Sequence, residues 1–209
     1  DAGILRGVRV EFAGDTFTES DELNGIAWQG VGAGTTISYV QVHYNQDDGV
    51  EPFGGAMSID HLVLTGIGDD SFDGTDGWRG FAQFVLIQQN GDDADQGLEI
   101  SNNGDEEGAS PRTTAVVANV TAIGGNADQL PAGATIAGPE SDRLIEFREG
   151  SFWRVYNSIF TGFGDGFCIT DGQTIANAIA RIGGSADPDQ TLSGEGLILW
   201  SNGDDNLGC

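Results

Sequence analysis

The side chains of this 209-residue chain that could do chemistry are mostly carboxylates, and they recur in one setting. The segments DDGVEPFGG (47–55), DDSFDGTDG (69–77), DQGLEISNNG (95–104), DRLIEFREG (142–150) and DGFCITDG (165–172) share a polar turn, one apolar residue, usually an acid, and then glycine. Registered on one another, they align Glu51, Asp73, Glu99, Glu146 and Cys168, at separations of 22, 26, 47 and 22. In stacked coils such positions lie ~4.8 Å apart, the spacing of paired strands. The turn acids Asp47, Asp48, Asp69, Asp70, Asp92, Asp93 and Asp95 would then form a column of mutually repelling charges that a cation relieves. Hard oxygen donors in flexible turns suit Ca2+, so the expected ligands are Asp69, Asp70 and Asp73, joined by Asp48 and Asp93 from neighbouring coils.

A second ladder follows from strand alternation. If Val50, Phe72, Leu98 and Ile145 point inward, then Glu51, Asp73, Glu99 and Glu146 point outward on one face. Carboxylates on adjacent strands can act as the acid and base of a glycosidase, at separations of ~5 to 9.5 Å. Arg79 and Arg148 are the cations near this strip in sequence. The catalytic candidates are therefore Asp73, Glu99, Glu146, Arg79 and Arg148. The competing reading is plainer: both ladders are solvated turn and surface charges that keep the chain soluble. Trp78 beside Arg79 is either a flat edge for a sugar or a pair packed under a loop. His43 and His61 have no partner at metal-ligand spacing, and GVGAGT (30–35) precedes a β-run where a phosphate loop needs a helix.

Composition narrows the setting. Thirty-three acids against eight cations give a net charge of -25. Such a charge excludes nucleic acid as a partner and keeps a protein soluble in salty or calcium-rich water, which implies an extracellular or cell-surface place, with the periplasm or outer membrane also open. No stretch reaches the ~20 apolar residues of a membrane helix. The two cysteines, Cys168 and Cys209, are too few for a disulfide scaffold; they form one bridge or remain two thiols.

The elements that must position these residues are strands. TISYVQVHY, SIDHLVLTG, AQFVLIQQN, VVANVTAIGG and VYNSIFTG are β-rich runs between the acidic segments and would carry a second sheet. Strands punctuated by Gly, Asn and Asp and recurring every 22–26 residues suit a solenoid, whereas a sandwich shows turns every 8 to 12 residues. A jelly roll is the second choice. NADQLPAGATIAGPES reads as an inserted loop, and QTIANAIARIGG as a short helix stopped by glycine near the C-terminus.

Two resemblances bear on this reading. GIGDDSFDG (66–74) resembles the nonapeptide of secreted calcium-dependent β-rolls, but it stands alone where those rolls need tandem copies, leaving a turn that can take calcium. GILRGVRVEFAG, ELNGIAWQGVGAGT, ISYVQVHYNQDDGVEPFGG and DDSFDGTDGWRGFAQFVLIQQ resemble consecutive segments of secreted bacterial right-handed parallel β-helix proteins, related in fold to pectate lyases. That likeness spans roughly residues 3 to 172. It implies further coils ahead of GILRGVRVEF and carries no catalytic residues with it.

The expectation is one all-β domain over 1–209, a right-handed parallel β-helix with 22–26-residue coils that lacks N-terminal coils. Its expected function is that of a scaffold or glycan-binding module stabilised by Ca2+, the alternative being a polysaccharide lyase or glycosidase. Expected partners are a glycan, and another protein or another copy at the N-terminal end of the solenoid, where ILRGVRVEF leaves no room for a cap.

Overall fold

The computed structural model describes residues 3–15, 18, 22–90, 94–125, 143–172, 174 and 193–200. The expected inserted loop (126–141) lies outside them, and so does the expected helix (173–184), apart from Thr174.

Alternating apolar runs of eight residues form the long strands β1 (Ile4–Glu11), β3 (Thr36–His43), β5 (Ser58–Thr65), β7 (Phe81–Gln88) and β9 (Val116–Ile123). They pair in parallel in that order and continue through β11 (Arg154–Tyr156) to β14 (Ser193–Glu195), with β12 (Ile159–Thr161) bridging β9 and β15 (Ile198–Trp200). The acidic segments supply the second sheet: β2 (Ile26–Gln29), β4 (Val50–Phe53), β6 (Phe72–Gly74), β8 (Leu98–Ile100), β10 (Arg143–Phe147) and β13 (Asp165–Ile169). Every pairing is parallel, and from β1 to β11 the strands alternate between the two sheets. The chain is a parallel β-helix.

The second sheet keeps the register read from the repeat: Val50 lies on Phe72, Asp73 on Glu99, Glu99 on Glu146 and Glu146 on Cys168. The first sheet is less regular. Thr36 sits on Ser58, 22 residues on, but Phe81 sits on Val116, 35 residues on, because the coil between them carries the longer turn at 101–115.

Each long strand bends at one residue of positive φ: Gly7, Tyr39, His61, Phe84 and Asn119, with φ of 54° to 67°. Two residues thereby separate inward Ile37 from inward Val40, where ordinary alternation would allow one. Ile37, Val40, Val42 and their equivalents on β5, β7 and β9 pack inside against Val50, Phe72, Leu98 and Ile145. Phe72, Trp78 and Trp153 form an aromatic cluster, with Trp78 and Trp153 centred 5.5 Å apart. Close packing here demands glycine: a Cβ on Gly74 would come within 2.5 Å of the Trp153 ring. At the other end, β1 pairs only with β3 and β2 only with β4 among the described residues. Their inward Leu5, Val10 and Ile26 are only partly buried.

Candidate acidic cleft

The turns entering the second sheet place their acids by one repeated device. Asp48 accepts a hydrogen bond from the backbone N–H of Asp70, one coil on, at 3.2 Å, and Asp70 accepts from the N–H of Gln96 at 2.8 Å. Each carboxylate thus ties its own turn to the next. The price is burial: Asp48 and Asp70 are both buried.

Burial corrects a central expectation. Glu51, Asp73, Glu99 and Glu146 do face away from the apolar core, yet all four are buried, as are Asp48 and Asp70. They are not a solvated outer strip. The physical reason is cover by neighbours: Asp47, Asp69, Asp95, Gln96, Arg143 and Arg148 close round Asp48, Asp70, Asp73, Glu99 and Glu146 in a cleft of about 380 Å3. Crowding gives these acids partners from their own and from neighbouring coils. Arg148 donates to Glu99 at 3.0 Å, Arg143 to Glu146 at 3.0 Å, and the Gln96 amide to Glu146 at 2.7 Å. Asn24 donates to Glu51.

Titration follows from this confinement. Burial, then the Glu51 charge, pushes Asp48 up to about 9. Burial raises Glu99 to about 7, with Arg148 pulling the other way. Asp69 rises to about 6, through burial and then the charge of Asp95. Asp70 and Asp73 are held well above the ordinary carboxylate range, by burial first, then by Glu99 for Asp70 and Asp48 for Asp73. Glu51 is raised by burial and hydrogen-bonds to Asp73 through their side chains, a contact that needs one of the two to hold a proton.

Three groups of carboxylates bring ligand oxygens within 4.8 Å of one another: Asp47, Asp48 and Asp69; Asp48, Glu51 and Asp73; Asp69, Asp70 and Asp95. The middle group has a further mark. Asp73 Oδ1 is buried without a hydrogen-bond partner, and so is Oε1 of Gln96, which lines the same cleft. Two orphan acceptors in one carboxylate-rich cleft fit a hard cation, and the oxygen-only donor set fits calcium better than zinc.

Of the residues singled out by sequence, Asp47, Asp48, Asp69, Asp70, Asp73, Asp95, Glu99, Glu146 and Arg148 come together here. Asp93 lies outside the described residues. Arg79 does not line the cleft: it is exposed, and its backbone N–H bonds to Gly55. Trp78 is wholly buried, its indole N–H donating to the Met57 carbonyl at 3.1 Å, so it offers no edge to a sugar. Cys168 is buried and disulfide-bonded, and Cys209 lies outside the described residues.

Over residues 1–186 the chain matches the model of the pectate-lyase-like beta helix domain. It belongs to that family. No curated protein and no solved structure matches it. No helix among the described residues of this β-helix domain is long and apolar enough to cross a membrane.

Sequence reasoning missed Gln96 and Arg143, although the repeat contains the signal. In DDG, DDS, DQG and DRL the second position runs Asp48, Asp70, Gln96, Arg143, so one column passes from acid through amide to cation. That gradient sets the cleft's polarity: the triads lie at the Asp48 end, and the arginines line the Glu99–Glu146 end.

Proposed function

We propose that this β-helix domain is an extracellular or cell-surface scaffold that binds glycan at its acidic cleft, with calcium holding the cleft's carboxylates together. The observation that carries this reading is the buried, unpartnered Oδ1 of Asp73, in a triad with Asp48 and Glu51. An ionised carboxylate in that position is costly unless a proton or a cation neutralises it. Three carboxylates leave room in a calcium shell of six to eight oxygens, and sugar hydroxyl or carboxylate groups are oxygen ligands of the right kind. Gln96, Arg143 and Arg148 supply hydrogen-bonding groups along the same cleft.

The test is a thermal melt in EDTA and in millimolar CaCl2, with NaCl held at 0.5 M so that screening is constant. Binding to the native state alone adds RT ln(1 + [L]/Kd), ~2.7 kcal/mol at a hundredfold excess over Kd, so the midpoint should rise by several degrees. Coincident melts would overturn the calcium reading. For the glycan, a panel of neutral and acidic polysaccharides should show binding that depends on calcium.

A second reading has its own support. Glu99, raised to about 7, is the strand neighbour of Asp73, and stacked carboxylates near ~5 Å suit a retaining glycosidase. Turnover of a polysaccharide, read as reducing ends or as absorbance near ~235 nm and abolished by Asp73→Asn or Glu99→Gln, would replace the scaffold with a glycosidase or lyase.

A further inference from the structure

The central strands of the face opposite the acidic cleft are almost free of charge. On its four central strands the outward positions are Thr36, Ser38, Tyr39, Gln41 and His43, with their equivalents on β5, β7 and β9. Asp60 is the only acid on those four strands, and it sits 2.6 Å from His61. In a chain with 33 acids such a patch stands apart. It also concentrates exposed apolar groups: Tyr39 (50%), Phe84 (48%), Leu86 (39%), Phe81, Ile123 and, beyond β9, Ile159.

Its relief is specific. Tyr39 stacks on His61 and Phe84 packs tilted against His61 along the bend, with ring centroids 4.4 and 5.0 Å apart, and Arg6 caps the row at Tyr39. Beside this ridge runs a shallow groove of about 500 Å3 lined by Gln41, Val63, Leu86 and Thr121. The three ridge residues occupy the left-handed region, where bulky side chains are strained, while Gly7, Asn119, Asn157 and Gly196 take it elsewhere on this sheet. Aromatic rings are therefore held at the surface in positions where glycine or asparagine is the easier choice.

We infer that this face is a two-fold interface between copies of the chain, the aromatic ridge of each lying in the groove of the other. Rings packed against one another along the row turn mainly their edges outward, which suits protein side chains better than the flat face of a sugar. Four eight-residue strands make a patch of roughly 26 by 19 Å, and the strands of β1, β11 and β12 bring it toward the ~800 Å2 per partner of a stable interface. Charge selects the second copy's orientation. Meeting on the neutral face keeps both acidic clefts on the outside, roughly 30 Å apart across two ~10 Å sheet spacings and the interface. That is several Debye lengths at physiological salt but only about one at 10 mM.

Sedimentation velocity from 5 to 200 µM tests this in 10 mM and 0.5 M NaCl. The protein should be dimeric in 0.5 M NaCl and dissociate in 10 mM. Leu86→Glu should weaken the dimer at least tenfold with an unchanged circular dichroism spectrum. Phe84→Asn should weaken it while raising the melting midpoint of the monomer, because asparagine fits the left-handed backbone; a merely structural ladder would lose stability instead. A monomer at 200 µM in 0.5 M NaCl overturns the inference, as does a dimer that survives both substitutions. A monomer whose tyrosine signals shift with cellohexaose would overturn it in favour of a neutral glycan.

Discussion

Acidification should stabilise this fold when calcium is absent. The perturbation is a change from pH 7.5 to pH 5.0 in EDTA. Asp48 titrates at about 9 in the folded chain and near its ordinary 3.8 when unfolded, so across this window the native state holds a proton that the unfolded state has released. A group raised in this way contributes stability that is complete below the unfolded value and is lost as pH rises toward the folded one. Each pH unit is worth ~1.4 kcal/mol for such a group, hence roughly 3 kcal/mol over the 2.5 units. Glu99, raised to about 7, adds in the same direction over most of the window. For a chain of this size ~3 kcal/mol is about 6 to 12 °C in melting midpoint. Urea or thermal melts at both pH values, in 0.5 M NaCl to screen the net charge, make the assay. Saturating calcium should flatten or invert the dependence, because a cation takes the place of the protons. A chain less stable at pH 5.0 than at 7.5 in EDTA would refute the reasoning.

Three further outcomes follow from the same geometry. Asp73→Asn replaces a buried carboxylate whose Oδ1 lacks a hydrogen-bond partner, so in EDTA at pH 8 it should raise stability by about 1 to 3 kcal/mol, yet abolish most of the gain from calcium. An equal calcium increment in variant and parent would contradict the assignment. Arg148→Ala strips the 3.0 Å partner from buried Glu99 and should cost roughly 1 to 3 kcal/mol at pH 8 but little at pH 5, where Glu99 is protonated; equal losses at both pH values would point to lost packing instead. With a net charge of -25, melting should also rise from 10 mM to 1 M NaCl, and a flat profile would mean that the acids are already compensated within the fold.

Much of the fold was legible because one polar turn repeats. Aligning DDGVE, DDSFD, DQGLE and DRLIE put Glu51, Asp73, Glu99 and Glu146 on successive strands and turned Val50, Phe72, Leu98 and Ile145 inward, as they lie in the structure. Alternation says which way a side chain points and nothing about what covers it. The cover over Glu99 and Glu146 depends on Gln96 and Arg148 reaching across coils, contacts between residues as far as 50 apart in sequence. The bend was hidden for a different reason. Tyr39, His61 and Phe84 take a backbone conformation that sequence reasoning assigns to glycine or asparagine, so residue type gives no sign of it. Arg79 looked like a cleft residue because it lies six positions from Asp73, but the intervening turn carries it to the surface while Trp78 goes to the core.

The most direct test of calcium in the cleft is an anomalous difference map from crystals grown in CaCl2, collected at a wavelength where calcium scatters anomalously and chain oxygen does not. The account predicts a peak among the carboxylates of Asp48, Glu51 and Asp73, within about 2.3 to 2.6 Å of their oxygens and absent from crystals of Asp73→Asn. A featureless map there, with Asp73 hydrogen-bonded to a protonated Glu51, would contradict it.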